Sequence, residues 1–412
     1  MERKVVVTGM GVISPVGNDV QTYWSNLVNG VCGIVPINEY GELGLNVHVG
    51  GTVKDFQPEA YGIEKPFVRK QDKFTIYAVA AAQQAMAQSG LVSGENIDPM
   101  RLGVYVGSGI GGYGTIVAEC EKSVKEGLRW ISPNYVSTMI SNIAGANVAI
   151  RYNACGPCLD TVSACASGTN AIGEAYRAIR HGYSDAIITG GAEAALVPMA
   201  AASFAASRAL TKEPDPLRAS IPFNANRGGF VLGEGAGILV LEEYEHAKAR
   251  GAEILAFVSG YGHSCDAHHV TAPNPTGMTQ AAAIRQALDE AGYNSDDKLH
   301  INAHGTGTPL NDKCETLAFK LALGEDAKKA HICSTKSMTG HLLGAAGAIE
   351  AIAAILALKE GIVPPTIGLD EPDPECDLDY TPNNAVKTDL TIAISDSLGF
   401  GGHNACVAFR KA

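Results

Sequence analysis

The segment from Asp160 to Asn170 places one cysteine, Cys165, where a short apolar strand gives way to a predicted helix. Small residues surround its sulfur on both sides. Unpaired N–H groups and the positive end of the helix dipole favour a thiolate at such a position and can hold an oxyanion. A buried structural cysteine is the alternative interpretation. The placement of Cys165 puts a nucleophilic role on an equal footing with a structural one.

Two histidines lie in glycine-containing turns at predicted strand and helix ends. His304 is followed by threonines, whose hydroxyls can donate to and accept from a polar ligand. His341 begins a stretch of apolar and small residues predicted to be helical, and Lys336 lies in the turn before it. A turn histidine with local hydrogen bonds, and a helix cap with a surface lysine, are the alternatives. A buried Lys336 needs a carboxylate partner, and the candidates are Asp312, Glu315 and Glu350.

The segment from Asp396 to Ala405 contains three glycines around one phenylalanine, Phe400. A flexible loop with a bulky apolar tip can act as a gate, although a plain glycine turn before the last strand has the same composition. One cysteine and two histidines, each at a different strand or helix end, together suggest thioester chemistry. In this hypothesis the thiolate takes an acyl group and the histidines stabilise an enolate.

The composition excludes several classes of protein. The chain has 412 residues, with 46% hydrophobic and 18% charged, which is globular rather than disordered. A net charge of −12 argues against general binding of nucleic acid, because phosphate contacts need clustered Lys and Arg. Ten scattered cysteines are typical of reduced thiols rather than of a disulfide scaffold. Cys155 and Cys158 form one C-x-x-C without the further ligands of a zinc site, so we expect no metal.

We expect a cytoplasmic protein that does not interact with a membrane. The segment from Val5 to Gly9 indicates a first strand and glycine turn rather than a signal peptide. The longest apolar run, from Leu342 to Leu358, is interrupted by Glu350. It falls short of the roughly 18 apolar residues that mark a transmembrane helix.

Short apolar runs that alternate with Ala-rich amphipathic stretches predict an α/β protein with buried sheets. The predicted strands are Val5–Thr8, Gly103–Val106, Leu159–Val162, Ala186–Thr189, Gly237–Leu241, Ile254–Ser259, Leu299–Asn302 and Ile392–Ile394. The predicted helices are Phe74–Ser89, Ala166–His181, Thr279–Ala291, Lys313–Leu323 and His341–Leu358. The order of elements recurs loosely, which predicts two fused halves, residues 1–250 and 251–412.

Four stretches together resemble the β-ketoacyl-[acyl-carrier-protein] synthases, and in particular the elongating type II enzymes of fatty-acid synthesis. The resemblance runs from Val5 to about Phe409. Its most specific parts are Val162-Ser163-Ala164-Cys165-Ala166-Ser167-Gly168, Ala303-His304-Gly305-Thr306-Gly307-Thr308, Lys336-Ser337-Met338-Thr339-Gly340-His341 and Gly399-Phe400-Gly401-Gly402. The resemblance implies a thiolase-like fold: an α/β protein with duplicated halves in a five-layer α-β-α-β-α arrangement, usually a homodimer.

The resemblance also implies a role for the main side chains of these motifs. Cys165 would be the acylated nucleophile, and His304 and His341 would support decarboxylation of malonyl carrier protein. Lys336 would organise the site through carboxylates, with Glu315 and Glu350 as the candidates. Backbone N–H groups of Cys165 and Phe400 would form an oxyanion hole, and Phe400 would gate entry. No metal and no resident cofactor is implied, because a phosphopantetheine arm arrives on the acyl carrier protein.

The resemblance further implies sites for the carrier and for the acyl chain. Thr306 and Thr308 would bind the amides of the pantetheine arm, with Thr271 as a weaker candidate. Carrier proteins are acidic, so a local basic patch is expected for steering; an ordinary solvated charged face is the alternative. The candidate docking residues are Lys65, Arg69, Lys70, Lys73 and Arg208. Acyl-pocket depth would depend on Ile110 and on residues 132–140, which the partner subunit would contribute.

The chain departs from the family pattern at several positions. The loop that usually begins Asn-Ser-Phe-Gly-Phe begins here with Asp396, and Leu398 takes the place of the first Phe. Asn224 and Gly228 stand where the family has two acids. Ser163 precedes Ala164-Cys165, where Thr is frequent. These changes bear on chain-length preference and gate motion, and none removes a catalytic group.

Several alternatives share parts of this pattern. A polyketide ketosynthase would keep Cys165, His304 and His341, so the sequence separates it only weakly from a fatty-acid enzyme. A degradative thiolase uses a second late cysteine, and Cys406 does not sit in the expected place. An initiating type III synthase uses Cys, His and Asn, against which the two histidines argue. A non-condensing chain-length factor, a partner subunit, would lack the nucleophile.

Overall fold

The computed structural model describes residues 3–412, so that Met1 and Glu2 lie outside the described residues. In the first half the strands are β1 (Val5–Ile13), β2 (Val35–Pro36), β3 (Val49–Gly50), β4 (Leu102–Gly107), β5 (Cys158–Leu159), β6 (Ala186–Glu193) and β7 (Gly235–Glu243). In the second half they are β8 (Ala256–Cys265), β9 (Leu299–Asn302), β10 (His331–Cys333), β11 (Ile362–Val363), β12 (Val386–Lys387), β13 (Ile392–Gly399) and β14 (His403–Arg410).

The helices of the first half are α1 (Val20–Val28), α2 (Asn38–Glu42), α3 (Lys65–Val68), α4 (Lys73–Ser89), α5 (Tyr113–Glu126), α6 (Tyr135–Met139), α7 (Ile143–Tyr152), α8 (Ser167–Arg180), α9 (Pro198–Ala206), α10 (Pro216–Ala219) and α11 (Tyr244–Ala249). Those of the second half are α12 (Met278–Glu290), α13 (Pro309–Leu323), α14 (Lys336–Thr339) and α15 (Ala346–Glu360). Among residues 3–412, no helix is long and apolar enough to cross a membrane.

The two halves repeat one strand pattern. The main sheet has the order β10-β9-β13-β14-β8-β1-β7-β6-β4-β5. In each half the first strand pairs antiparallel with the last, which pairs antiparallel with a third strand, and two parallel strands follow outward. The halves join where β1 pairs with β8. This repetition confirms the predicted duplication, although the ten strands are continuous at the join.

Helices cover and separate the two sets of strands. α8 contacts β4 and β6 of the first half and β13 and β14 of the second, and α15 likewise contacts strands of both halves. α4 packs on β1, β6 and β7, while α12 packs on β8 and β14. Two outer helical layers therefore enclose two strand layers with α8 and α15 between them, which confirms the five-layer arrangement.

Burial explains why these segments form these elements. Nearly every residue of β4, β6 and β7 is buried, as expected for strands covered on both faces. Every residue of α15 from Ala346 to Leu358 is buried, because the helix lies between the two halves. Small residues allow this close packing. The strands and helices beside the four motifs are thus among the buried elements of the fold.

Two predicted elements were wrong at the site. The strand predicted at Leu159–Val162 is Cys158–Leu159, and the chain then leaves the sheet in an irregular turn. The helix predicted from His341 begins at Ala346, after a 3-10 turn at Leu343–Ala345. The backbone N–H of His341 instead donates to the carbonyl oxygen of Val231 at 2.7 Å. His341 is therefore held by a backbone contact with another segment.

Candidate active site

Cys165 lies in a tight turn at the start of α8. Ala164, just before it, has φ +52°, a left-handed conformation that non-glycine residues rarely adopt. Ser167 stabilises the turn, since its hydroxyl accepts from the N–H of Ser163 at 2.9 Å and donates to the carbonyl of Ala164 at 2.7 Å. This turn buries the thiol and places it beside the loop that follows β13.

The loop after β13 packs directly on the cysteine turn. A Cβ atom at Gly399 would lie 2.5 Å from the carbonyl oxygen of Ser163, so only glycine fits there. The backbone N–H groups of Phe400 and of Cys165 itself both interact with the Cys165 sulfur. Two amide N–H groups from different segments therefore lie near the thiol, and such groups can stabilise an oxyanion.

The resting thiol differs from the thiolate that the sequence suggested. Burial raises the pKa of Cys165 to about 12, and the charge of Glu193 adds to this effect. The Lys336 charge and the two amide donors lower the pKa, but they do not outweigh the loss of solvent. The thiol is therefore protonated at neutral pH, and its proton has to leave as the sulfur reacts.

The two histidines form a perpendicular pair beside the thiol. The ring centroids of His304 and His341 are 5.2 Å apart, with an interplanar angle of 86°. Burial first, and then the Lys336 charge, hold the pKa of both rings well below the usual value. Both nitrogens of His341 and Nδ1 of His304 lack a hydrogen-bond partner within the described residues. Neutral rings with unpartnered nitrogens are suited to donate N–H bonds to a substrate oxygen.

Lys336 is buried and paired with one of its three predicted partners. Its Nζ lies 2.5 Å from Oε1 of Glu350, and both side chains are 1% exposed. Asp312 was a wrong prediction for this role, because it lies 3.2 Å from Nε of Arg227. Glu315 instead accepts from the backbone N–H of Gly305 at 2.8 Å. Glu315 thus supports the turn immediately after His304.

One cavity of about 380 Å³ joins these groups. Its lining includes Cys165, His304, His341 and Phe400. The predicted Thr271, Thr306, Thr308, Arg208 and Leu398 line it as well. The hydroxyls of Thr306 and Thr308 are 3.0 Å apart. The volume lies in the range of small-molecule sites, and the structure brings residues from both halves to a single pocket.

The other predicted residues lie outside the lining of this cavity. Lys65, Arg69, Lys70 and Lys73 are exposed at the surface around α3 and the start of α4. Ile110 packs against the apolar cluster that contains Cys165 and Leu343. It is half-buried there and is not among the residues that line the cavity.

A buried carboxylate that was not predicted from the sequence, Glu193, joins three backbone segments beside the site. Glu193, at the end of β6, accepts hydrogen bonds from the backbone N–H groups of Gly109 at 2.7 Å, Gly344 at 3.0 Å and Ile110 at 3.3 Å. The Ser108 hydroxyl donates to it at 2.9 Å. Burial raises its pKa to about 7, and these donors oppose the shift. The signal for Glu193 in the sequence was a single acidic residue after an apolar strand.

The structure also locates the departures near Arg227. Asn224 donates to the carbonyl of Gly368 at 3.0 Å and caps a local turn through Asn226. A Cβ atom at Gly228 would have its nearest neighbour 4.0 Å away. Neither position contacts the thiol or the histidines, so these two changes leave the catalytic geometry intact.

Fold and site together define a class of protein. Two fused α/β halves that share one pocket, with a cysteine, two neutral histidines and two amide donors, are the features of a thiolase-like condensing enzyme. The chain belongs to the β-ketoacyl synthase family. The model of the N-terminal domain of β-ketoacyl synthase matches residues 2–247, and that of the C-terminal domain matches residues 255–370.

Curated relatives agree with this assignment. The chain is 48% identical over 409 residues to 3-oxoacyl-[acyl-carrier-protein] synthase 2 of Staphylococcus aureus (strain COL), covering 99% of this chain and 98% of the relative. It is 46% identical over 411 residues to the protein of the same name from Synechocystis, covering 100% of this chain and 98% of the relative.

Solved structures show the same fold. A β-ketoacyl synthase from Burkholderia phymatum matches with TM-score 0.93 and 35% identity, over 100% of both chains. A type II polyketide ketosynthase solved with its acyl-carrier protein and a hexaketide also matches with TM-score 0.93 and 35% identity, again over 100% of both chains. The ishigamide ketosynthase/chain length factor matches at 0.92 and 37%, with the same coverage.

Proposed function

We propose that the chain is an elongating 3-oxoacyl-[acyl-carrier-protein] synthase, an acyltransferase of fatty-acid synthesis. It condenses an acyl group held on Cys165 with malonyl carrier protein and lengthens the acyl chain by two carbons. The observation that carries the proposal is the single cavity shared by Cys165, His304, His341 and Phe400. Its relatives of the same name, at 46–48% identity, support the same activity.

In the first half-reaction Cys165 is the nucleophile. Its sulfur attacks the carbonyl carbon of the acyl carrier thioester, and the backbone N–H groups of Cys165 and Phe400 stabilise the tetrahedral oxyanion. The carbon–sulfur bond to the carrier breaks, and the carrier leaves as a thiol with the proton that Cys165 gives up. The acyl group remains on Cys165 as a new thioester.

In the second half-reaction the histidines act on malonyl carrier protein. Loss of carbon dioxide leaves an enolate, and the neutral rings of His304 and His341 donate hydrogen bonds to the thioester oxygen as its charge grows. The enolate carbon attacks the acyl thioester, the bond to Cys165 breaks, and the sulfur leaves as a thiolate that takes a proton from water. The ion pair of Lys336 and Glu350 fixes the turn that carries His341.

The phosphopantetheine arm of the carrier enters through the mouth of the cavity. Thr306 and Thr308 bind its amides, and Thr271 lies on the same lining. Arg208, exposed at this mouth, meets the acidic carrier. The exposed cluster of Lys65, Arg69, Lys70 and Lys73 steers the same partner electrostatically. The arm supplies the thioester, and the site needs no resident cofactor.

A homodimer completes the acyl pocket. β5 ends the main sheet at its first-half edge, and large apolar side chains nearby are exposed. They are Leu128, Trp130, Val136, Ile150, Leu159 and Val162. Such an apolar surface beside an unpaired strand is suited to a second copy of the chain. Residues 132–140 of that copy, together with Ile110 and Leu398, then set the depth of the pocket.

The strand order indicates where the two halves divide, and the state of the cysteines bears on the cellular location of the protein. We place the boundary of the halves, residues 1–250 and 251–412, between α11 and β8, where the repeated strand order begins again. The ten cysteines are free in the structure, which suits the reducing cytoplasm.

Intact-mass spectrometry tests the proposal directly. The purified chain is mixed with acyl carrier proteins of graded acyl length, without malonyl carrier protein. We expect a mass gain that maps to Cys165, and its dependence on acyl length ranks the substrates. The absence of a gain with every carrier would contradict the proposal.

A type II polyketide ketosynthase is the second candidate, because two of the matched structures come from polyketide or related systems. Acylation by a polyketide carrier but not by a fatty-acid carrier would favour it. A non-condensing partner subunit lacks the nucleophile, so the buried Cys165 within the cavity argues against that alternative.

A further inference from the structure

Two carboxyl groups from distant parts of the chain face each other under the His304 turn. Asp396, in β13, is 1% exposed and Glu315, in α13, is fully buried. The Glu315 carboxyl lowers the pKa of Asp396 as a hydrogen-bond partner, and the charge of Asp396 raises the pKa of Glu315, so the two groups lie close together. Neither oxygen of Asp396, nor Oε1 of Glu315, receives a hydrogen bond of normal geometry from an N–H or hydroxyl donor within the described residues. Both oxygens of Asp396 and one oxygen of Glu315 therefore lack the donors that buried carboxylates need.

The charges around this pair are unbalanced. Lys336 forms an ion pair with Glu350, with Nζ 2.5 Å from Oε1. Asp312 forms an ion pair with Arg227, with Oδ2 3.2 Å from Nε. The Lys336 charge therefore acts on Asp396 and Glu315 only from within its pair with Glu350, and neither acid forms an ion pair of its own among residues 3–412. The groups that act on Asp396 from the packed elements are Glu315 of α13, Lys336 of α14, Glu350 of α15, the backbone N–H of His304 and, opposite it in β14, Cys406.

We propose that Asp396 and Glu315 share one proton and that this carboxyl–carboxylate pair positions the His304 turn. One protonated carboxyl supplies the missing donor, so both groups are satisfied with a single negative charge. Glu315 then keeps its bonds from the N–H of Gly305 at 2.8 Å and from the side-chain amide of Asn311 at 3.1 Å. Gly305, with φ +34°, directly follows His304.

Loss of the proton places two negative charges side by side in a buried site. The repulsion moves Glu315 away from Gly305 and releases the turn that carries His304. Asp396 also lies on the strand that runs into the Phe400 loop, so the same event loosens the gate. The pair is a positioning device and does not touch the substrate.

The direction of the titration follows from the environment. Burial raises the pKa of Asp396 to about 7. Burial and then the charges of Asp396 and Asp312 raise the pKa of Glu315 well above its usual value. A raised pKa in the folded state means that the stabilisation is complete at acid pH and is lost as the pH rises through the folded value. The pair therefore stabilises the fold at mildly acid pH and less at alkaline pH.

The test compares the wild type with Asp396→Asn, in which an amide donates to Glu315 without a titrating proton. Asp389→Asn is the matched control, because that side chain is 89% exposed. Thermal unfolding is followed between pH 5.5 and 9 without substrate. We expect the wild type and the control to lose stability as the pH rises through about 7, and the Tm of Asp396→Asn relative to wild type to increase over the same range. Parallel curves for wild type and Asp396→Asn overturn the proposal.

Two further measurements guard against a variant that fails to fold. Glu315→Gln removes the same shared proton from the other side and is expected to flatten the curve in the same way. Infrared difference spectra at pH 6.5 are expected to show a protonated carboxyl band in the wild type that either variant lacks. Absence of that difference overturns the proposal.

An activity measurement separates positioning from simple stability. The condensation rate of the wild type is expected to fall at alkaline pH by up to about tenfold per pH unit, the slope for release of one proton. Asp396→Asn moves this fall to higher pH. This arm rests on the proposed function, whereas the stability and infrared arms do not. Failure of Cys165 acylation with a positive stability result therefore rejects the function alone.

Discussion

The imidazole rings of His304 and His341 stand at 86° to each other with their centroids 5.2 Å apart. Phe230 packs edge-on against His341 at 5.2 Å and restricts its rotation. Because the nitrogens of His341 have no partner within the described residues, a substrate oxygen between the rings can receive a hydrogen bond from each. The arrangement favours stabilisation of one developing oxyanion over proton transfer between the rings.

The first prediction concerns the nucleophile. Cys165→Ala removes the only sulfur that lines the cavity among the described residues, and we expect no covalent acyl adduct with any carrier. Cys155→Ala is the control, because Cys155 is a free and exposed cysteine, and it should acylate like the wild type. Intact-mass spectrometry measures both. An adduct on the Cys165→Ala protein would place the nucleophile elsewhere.

The second prediction separates the two half-reactions. His341→Asn removes an imidazole donor from the cavity but leaves Cys165 and its amide donors in place. We expect malonyl decarboxylation to fall by about 10²–10³-fold, as for loss of one oxyanion donor, while acylation of Cys165 is largely retained. His181→Asn, at an exposed position after α8, provides the control. Equal loss of both half-reactions would show that His341 does more than bind the malonyl group.

The third prediction concerns the buried ion pair. Lys336→Met leaves the Glu350 carboxylate buried without its cation, and we expect a loss of about 3–5 kcal/mol in unfolding free energy. Lys359→Met breaks an exposed pair with Glu253, which should cost about 0–1 kcal/mol. Urea unfolding measures both variants. Similar losses in the two proteins would show that Lys336 is not held by Glu350 in solution.

The fourth prediction concerns the contact between the gate loop and the cysteine turn. Gly399→Ala forces a Cβ atom to within 2.5 Å of the Ser163 carbonyl oxygen, which displaces the Phe400 amide. Loss of one oxyanion donor costs about 10²–10³-fold in rate, and we expect acylation of Cys165 to slow by a similar factor. Gly228→Ala has open space around the new methyl group and should keep the wild-type rate. Rapid quench-flow measurement of the rate of Cys165 acylation by acyl carrier protein compares the two variants.

The fifth prediction addresses acyl length. Ile110 packs on the apolar cluster that contains Cys165, and Ile110→Phe adds bulk beside that cluster. Overpacking of this kind costs about 1–3 kcal/mol, and we expect it to act against longer acyl groups first. Acylation by carriers of graded length should therefore shift towards short chains. An unchanged length profile would remove Ile110 from the pocket.

The candidate residues that line the cavity could be predicted from the sequence. Cys165, His304, Lys336, His341 and Phe400 each lie in a short stretch of small residues and glycines beside an apolar run. Turn formation and the burial of such runs depend on neighbouring residues along the chain. The motifs and most strands and helices can therefore be predicted from local sequence patterns. The recurrence of strands and helices likewise indicated two α/β halves.

Tertiary structure decided which of these groups meet and in what state. Lys336 had three candidate carboxylates, and only packing of α15 between the halves selects Glu350 and leaves Asp312 to Arg227. The thiol of Cys165 is protonated because residues from both halves exclude water from it.

The facing carboxyls of Asp396 and Glu315, and the backbone donors of Glu193, are also contacts between segments far apart in the chain. The physical reason is that electrostatic energy depends on distance and solvent exclusion, and neither quantity is encoded in local spacing. The sequence by itself therefore determined the candidate reacting groups, and the fold determined their charges and partners.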